Sequence, residues 1–278
     1  MRVWLALAGL LALAACAPNR AVMRESVMVI GDSILAWNGG LAPEVMGEAL
    51  GRRVLDRSRS GARVSGAGGY GFVPEIAAQY RGEAVAWVVM DGGGNDLLGE
   101  CGCDGCDPVL DGLISADGRS GEIARIVERI RAGGARVLLV GYYPVSDRGG
   151  PFEECRDELA VLAERMGRLA ALREGVSFAS LGEVIGASDL EFYGPDRVHP
   201  TEAGSRLIGR FLAEQIEADA LRAVEDQRRK TRAAQRRIKA ANARKIAEAR
   251  ARSAATGVEV RCRYISTGDF GERLLSCR

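Results

Sequence analysis

The chain has 278 residues, 47% of them hydrophobic and 27% charged, and its formal net charge is +1. These fractions are ordinary for a globular protein and exclude a mostly disordered chain. The length allows one large domain with appendages, and the charge is unevenly spread: residues 219–253 hold 12 Lys/Arg against 4 Asp/Glu.

The N-terminus has the features of an export signal. An apolar run over residues 3–15 is too short to span a bilayer comfortably and resembles a secretory h-region. It ends in Leu13-Ala14-Ala15-Cys16, which resembles a bacterial lipobox. We therefore expect residues 1–15 to be a lipoprotein signal peptide, Cys16 to be lipidated, and residues 16–25 to form a tether. The protein would be anchored in the bacterial cell envelope and face the periplasm; an ordinary signal peptide with an incidental cysteine is the alternative.

Strand and helix patterns alternate through the body of the chain. Compact apolar runs predict five strands, at residues 26–30, 53–56, 84–90, 136–142 and 176–180. Helical patterns accompany them at residues 42–50, 72–80, 121–132, 155–172 and 201–218. This alternation favours right-handed crossovers and a parallel sheet with helices on both faces. We predict an α/β domain, a three-layer αβα sandwich, over residues 26–218.

Two appendages follow this domain. Residues 219–255 lack Pro and Gly and have few apolar anchors, which predicts a long, exposed, basic helical arm. Residues 256–278 contain two strand-like stretches around Gly268-Asp269-Phe270-Gly271 and predict a small β-hairpin.

Cysteine usage agrees with export. Without Cys16, six cysteines remain, and an even number in an oxidising compartment favours disulfides. Cys262 and Cys277 frame the hairpin, and we predict that they pair. The other four, Cys101, Cys103, Cys106 and Cys155, allow three pairings, and their spacing fits no common zinc site.

Three polar or glycine-rich segments follow the first three strands. They are Gly31-Asp32-Ser33, Ser60-Gly61-Ala62 and Gly94-Asn95-Asp96. Ligands of open parallel sheets bind beyond the carboxyl ends of the strands. With strand order 2-1-3-4-5, Gly61 and Asn95 stand on either side of Ser33. Ser33 can then act as a nucleophile, with an oxyanion hole formed by the N–H groups of Ser33 and Gly61 and the Asn95 amide.

The general base must be His199, the single histidine of the chain. Pro200 biases it towards extended backbone just before a helix. Asp196, three residues earlier, can accept a hydrogen bond from Nδ1 and leave Nε2 facing Ser33.

Four segments together carry a family resemblance: Gly31-Asp32-Ser33-Ile34-Leu35, the glycine of Ser60-Gly61-Ala62, Gly94-Asn95-Asp96, and Asp196-Arg197-Val198-His199-Pro200. They resemble the signature blocks of the SGNH (GDSL-type) hydrolases, a family of esterases, lipases, thioesterases and carbohydrate deacetylases with a flavodoxin-like fold. The resemblance implies a catalytic triad of Ser33, Asp196 and His199, with Gly61 and Asn95 completing the oxyanion hole. It also implies a serine esterase that needs no metal or cofactor. Short-chain acyl, acetylated-carbohydrate and lysolipid esters remain open as substrates.

Other segments of the chain, and the function as a whole, allow further interpretations. Residues 100–115, with three cysteines, are expected to form a disulfide-held wall or lid that narrows the acyl pocket. Trp37 stands either near the acyl group or packs the first helix. Residues 66–71 match a dinucleotide fingerprint but lie too far from a strand end. The alternative function is a catalytically inactive, envelope-anchored binding protein that uses the basic arm. The arm itself is either a solvated spacer or a surface for anionic lipid or polysaccharide, and nucleic acid is not an expected partner.

Overall fold

The computed structural model describes residues 26–66, 74–266 and 273–277. The chain divides into two units, residues 1–217 and 218–278. The expected signal peptide, the Cys16 lipidation site and the tether lie outside the described residues, as does most of the glycine-rich segment 66–71. The turn of the C-terminal hairpin also lies outside them.

The first unit contains a five-stranded parallel sheet of order β2-β1-β3-β4-β5, which confirms the predicted topology. Its strands are β1 Val27–Ile30, β2 Val54–Asp56, β3 Trp87–Met90, β4 Arg136–Gly141 and β5 Val176–Ser180. The α-helices among the described residues are α1 Ser33–Leu50, α2 Ile76–Gln79, α3 Gly94–Asp96, α4 Asp107–Leu113, α5 Glu122–Ala132, α6 Arg156–Leu172 and α7 Glu202–Thr256.

Alternating residues of the central strands point into two separate cores. On one face, Met28 and Met90 belong to an apolar cluster with side chains of α2, α4, α5 and α6. On the other, Val27 and Val89 pack with side chains of α1 and the first part of α7, such as Ile208. Both faces of the strands are therefore covered, which is why they appear in the sequence as continuous apolar runs. The three-layer αβα architecture is confirmed.

The first helix begins nine residues earlier than expected, at Ser33 rather than residue 42, but it is interrupted. Residues Trp37 to Gly40 leave helical geometry, and Asn38, Gly39 and Gly40 have φ values of 52°, 72° and 82°. The Asn-Gly-Gly sequence hides the first turn from a periodicity argument, because it is typical of a loop. Asp32 caps that turn by accepting a hydrogen bond from the Ile34 N–H at 3.0 Å.

Residues 100–115 are more regular than a loop. They include the end of a π-helical turn at Leu97–Cys101 and the whole of α4. Disulfides join Cys101 to Cys106 and Cys103 to Cys155. The side chain of Leu110 is buried in the core beside these disulfides, so this segment is part of the packed domain.

In the second unit, α7 continues without a break where two helices were expected on either side of residue 219. Strands β6 Cys262–Ser266 and β7 Arg273–Cys277 form an antiparallel hairpin, and a disulfide joins Cys262 to Cys277. The Leu275 N–H donates to Asn242 Oδ1 at 3.0 Å, and Lys245 Nζ donates to the Leu275 carbonyl at 3.0 Å. The hairpin is thus fastened to α7 by its second strand. Among the described residues, no helix combines the length and apolarity needed to cross a membrane.

Candidate active site

Ser33 stands where β1 meets α1. It is the first residue of the helix, directly after the Asp32 cap, and only 8% of its surface is exposed. The free backbone N–H groups of a helix start and the positive end of its dipole favour negative charge at this point. A nucleophilic oxygen here therefore lies beside groups suited to an oxyanion.

Three side chains form a hydrogen-bonded relay. His199 Nε2 lies 2.8 Å from Ser33 Oγ, and His199 Nδ1 lies 2.6 Å from Asp196 Oδ2. Ser33 and His199 are 166 residues apart in sequence. The structure therefore brings together the nucleophile, base and orienting carboxylate that the sequence indicates, at distances suited to proton transfer.

The loop between Gly194 and Pro200 is shaped around the Asp196 carboxylate. Oδ1 accepts the backbone N–H groups of Val198 at 3.1 Å and His199 at 3.0 Å. Arg197 adopts a left-handed φ of 58°, which lets the chain fold back over the carboxylate. Partial burial raises the pKa of Asp196, but the hydrogen bonds from the His199 ring and these N–H groups outweigh it and leave the pKa below its usual value. The ionised carboxylate favours the tautomer with a proton on Nδ1 and a free lone pair on Nε2.

Two of the three proposed oxyanion donors, Gly61 and Asn95, lie on segments that are tied to each other. Asn95, in α3, donates a hydrogen bond from Nδ2 to the Ala62 carbonyl at 3.0 Å, which joins the segment after β3 to the loop after β2. This bond uses one of the two amide protons of Asn95. Gly61 has a left-handed φ of 74° in the loop after β2. Asn95 also lines the cavity beside Ser33, whereas Gly61 does not.

Asp96 strengthens the same junction, a role that the sequence reasoning missed. Its carboxylate accepts the backbone N–H groups of Val64 at 3.0 Å and Ser65 at 2.8 Å, and the Ser65 hydroxyl at 2.7 Å. The side chain is fully buried. In the motif Gly94-Asn95-Asp96, the family resemblance assigns a role only to the amide of Asn95. The burial of the Asp96 carboxylate is evident only in the folded chain.

A second polar network lies directly behind the nucleophile and was also missed. Asp91 Oδ1 accepts the Asp32 N–H at 2.8 Å, and the Tyr142 hydroxyl donates to Asp32 Oδ2 at 2.5 Å and accepts the Gly94 N–H at 3.0 Å. Burial and the nearby Asp32 charge raise the pKa of Asp91 well above its ordinary value. Burial also raises the pKa of Asp32. The only sequence signal is an aspartate at the end of the apolar run of β3.

A cavity of about 200 Å³ opens beside Ser33 and His199. Its lining is mainly apolar and includes Ile34, Phe152 and Leu159. None of residues 100–115 lines it, so the expectation that this segment forms the pocket wall is wrong. The segment packs into the core instead, and the wall comes from the loop after β4 and from α6. Cys155 lies between Phe152 and Leu159 in sequence, so its disulfide fastens that wall indirectly to the segment.

Trp37 does not line this cavity, and its indole stacks on the His199 imidazole with ring centroids 3.6 Å apart. From the sequence, Trp37 is expected either near the acyl group or packed against the first helix, and neither expectation includes a contact with His199. Within the described ranges, no group of three or more His, Cys, Asp or Glu side chains is arranged to hold a metal ion. The six cysteines considered above are all in disulfides.

Comparison with known proteins identifies the family of the chain and several similar folds. The model of the GDSL-like lipase/acylhydrolase family matches residues 29–207. An inhibitor-bound aryl esterase from M. smegmatis has a similar fold, with a TM-score of 0.54 and 19% identity over 70% of this chain and 99% of that one.

Two further structures are similar to the same region. The family 3 carbohydrate esterase from Clostridium thermocellum has a TM-score of 0.50 and 18% identity, over 72% of this chain and 98% of its own. The lipase/acylhydrolase from Enterococcus faecalis has a TM-score of 0.52 and 16% identity, over 71% and 97%. No curated protein sequence matches the chain.

Proposed function

Because the chain belongs to the GDSL-like lipase/acylhydrolase family and is a carboxylic ester hydrolase, we propose that it cleaves short-chain acyl esters through an acyl-serine intermediate on Ser33. The observation that carries this proposal is the continuous relay from Asp196 through His199 to Ser33, with distances of 2.6 and 2.8 Å.

Each group of the relay has a defined role in the reaction. His199 Nε2 takes the hydroxyl proton as Ser33 Oγ bonds to the ester carbonyl carbon, and the carbonyl electron pair moves to oxygen. The Ser33 N–H, the Gly61 N–H and the Asn95 amide are the proposed donors to this oxyanion. Collapse breaks the bond to the alcohol, which leaves with the proton from Nε2. A water molecule then attacks the acyl-serine with the same base, and the products are one carboxylic acid and one alcohol.

The size of the cavity supports a short acyl group. A volume of about 200 Å³ lies below the range of about 300–1,000 Å³ that is typical of small-molecule pockets. The apolar lining of Ile34, Phe152 and Leu159 favours a hydrocarbon chain over a charged one. The acetyl group of an acetylated carbohydrate fits this size, whereas the long acyl chain of a lysolipid exceeds it.

A nitrophenyl ester series from two to twelve carbons tests both parts of the proposal. We expect hydrolysis that disappears in Ser33→Ala, with kcat/KM highest for two to six carbons. Leu159→Ala should enlarge the cavity and move the optimum to longer chains. Equal hydrolysis by wild type and Ser33→Ala would contradict the proposal that Ser33 is the nucleophile.

The nature of the alcohol can be tested independently. Acetylated polysaccharides should release acetate, and lysolipids should react slowly if the cavity limits chain length. Fast hydrolysis of a long-chain lysolipid with no optimum at short chains would contradict the short-chain assignment while leaving the serine chemistry intact.

We also propose that the protein is exported and anchored through Cys16. Support comes from the apolar N-terminal run and lipobox-like segment, and from three disulfides in the rest of the chain, which suit an oxidising compartment. Labelled palmitate should enter the wild-type protein in bacterial cells but not Cys16→Ser. Labelling of both would contradict lipidation at this position.

The basic arm is proposed to bind anionic lipid. Arg228, Arg232, Arg236 and Lys239 are exposed and follow one another at helical spacings of three or four residues, which places them on one face of α7. Lys/Arg side chains near an anionic membrane each add about 1 kcal/mol of binding free energy at modest salt. The hairpin is hydrogen-bonded to α7 at Asn242 and Lys245, which follow these four basic residues in the helix.

Vesicle sedimentation with a non-lipidated protein tests this surface. Binding to vesicles that contain phosphatidylglycerol should fall steeply with salt and be lost when the four basic residues become glutamine. A variant that exchanges the three arginines for lysine keeps the charge and is the matched control. Binding to an anionic polysaccharide but not to vesicles would contradict the lipid assignment.

A further inference from the structure

His199 is held at its two ring nitrogens, and Trp37 covers one face of the ring. The bonds to Asp196 and Ser33 lie at the ring edge and set the direction of Nδ1 and Nε2. These two bonds constrain the directions of Nδ1 and Nε2 more strongly than they constrain rotation of the ring about the line through these two atoms. The indole of Trp37 lies parallel to the imidazole, with an interplanar angle of 7° and centroids 3.6 Å apart.

We propose that Trp37 is a positioning residue for His199, which holds the imidazole plane so that Asp196 and Ser33 are engaged at the same time. The inference rests on the proposed serine chemistry. Its effect should fall on the chemical step, because a tilted ring lengthens the path of the proton from Ser33 Oγ to Nε2. A misplacement of about 1 Å in an active site can lower the rate about a hundredfold.

The backbone at Trp37 is arranged to produce this contact. Trp37 has a ψ of 160°, so the helix stops there, and Asn38 takes a left-handed φ of 52°. Non-glycine residues adopt that conformation rarely, and it persists where surrounding contacts enforce it. Here Asn38 Nδ2 donates to the Pro200 carbonyl at 3.0 Å and to Ser205 Oγ at 2.9 Å. The neighbour of Trp37 is therefore tied to the neighbour of His199.

Two other roles for Trp37 fit the structure less well. Its side chain does not line the cavity beside Ser33, so contact with the acyl group is not its role. It also belongs to neither of the two apolar clusters found among the described residues. The helix is interrupted at Trp37, and the contact that its indole makes there is the stack on the His199 imidazole.

The stack also suits the charge that develops during the reaction. When Nε2 takes the proton of Ser33, the ring becomes an imidazolium next to the Asp196 carboxylate, with the indole on its face. An aromatic face attracts a cation, most strongly in tryptophan. The indole therefore favours the protonated ring that follows each proton transfer, in addition to holding its plane.

Two variants separate positioning from simple packing. Trp37→Phe keeps a flat aromatic face, and Trp37→Leu keeps an apolar side chain without one. We expect Trp37→Leu to lower kcat for an acetyl ester about tenfold to a hundredfold with KM within about twofold of wild type, and Trp37→Phe to recover most of the loss. Equal loss in both variants, unchanged kcat in Trp37→Leu, or a rise of KM alone would overturn the inference.

A spectroscopic measurement keeps the test independent of turnover. Because His199 is the single histidine, its two ring C–H signals are assigned without ambiguity. In the folded wild-type protein the indole ring current should move them upfield of their values in urea, and Trp37→Leu should remove that shift. Wild-type signals at the unfolded positions would overturn the stack, even if Trp37→Leu failed to fold. Activity that survives in Ser33→Ala would instead count against the proposed function.

Discussion

Replacing Asp196 with asparagine separates the two contacts that its carboxylate makes. Oδ2 accepts the bond from His199 Nδ1, and Oδ1 accepts the N–H groups of Val198 and His199. An amide has one acceptor oxygen, so it can satisfy only one side. With the oxygen towards the backbone, its NH₂ group faces Nδ1 and favours the tautomer protonated on Nε2. That tautomer cannot accept the proton of Ser33.

The size of the effect follows from these contacts. The orientation with oxygen towards the backbone keeps two hydrogen bonds, each worth about 1 kcal/mol net, whereas the opposite orientation keeps one. We therefore expect a folded protein in the unproductive tautomer. A wrong tautomer in a serine–histidine–aspartate relay lowers kcat about 10⁴-fold, which corresponds to about 5.4 kcal/mol at 1.36 kcal/mol per tenfold. KM should change little, because Asp196 acts through His199.

The assay is the initial rate of nitrophenyl acetate hydrolysis over a range of concentrations, together with the thermal midpoint of unfolding. Asp196→Ala is the companion variant, because it removes both sets of contacts and should lower stability as well as kcat. A kcat for Asp196→Asn within tenfold of wild type, in a folded protein, would refute the reasoning that the carboxylate sets the tautomer of His199.

Three further predictions concern the support of the site. Gly31→Ala should lower the free energy of unfolding by about 3 kcal/mol or more in urea titrations. The reason is that φ of Gly31 is +146° and a Cβ at this position would overlap the Asp91 carboxylate. A variant with the stability of the wild type would show that the loop can move to make room. Burial raises the pKa of Asp91, so the folded state keeps a proton that the unfolded chain releases, and stability falls as pH rises from the ordinary value of about 3.9 towards the raised one. Asp91→Asn should flatten that slope, and an identical slope would contradict the assignment. Replacing Cys103 and Cys155 with serine opens a loop of 52 residues and should cost about 4 kcal/mol in the loop-entropy account; a change below about 1 kcal/mol would show that the core holds the segment unaided.

The parallel sheet and the relay could be predicted because their signals are local. Runs such as residues 84–90 are apolar throughout, since strands of a covered parallel sheet are buried on both faces. The strand order then placed Ser33 and Asn95 at one sheet edge. His199 followed by elimination, because the chain has no other imidazole.

Other features of the site depend on contacts that no local pattern records. Tyr142 reaches Asp32 across 110 residues of sequence, and the pair is visible only when β4 and β1 share a sheet edge. The pocket wall was assigned to residues 100–115 because their cysteines suggested a closed loop, but the second disulfide draws the segment into the core.

Taken by itself, the sequence predicted the α/β fold class and the residues that we propose as nucleophile, base and orienting carboxylate, and the family resemblance implied the flavodoxin-like strand order. Apolar runs and strand-end motifs are patterns of residues that are neighbours in sequence. They can therefore be recognised without knowing the fold. Only the tertiary structure decided the cavity walls, the buried network behind Ser33 and the placement of Trp37 over His199. Those features depend on the relative positions of separate loops, which are set by packing across the whole domain.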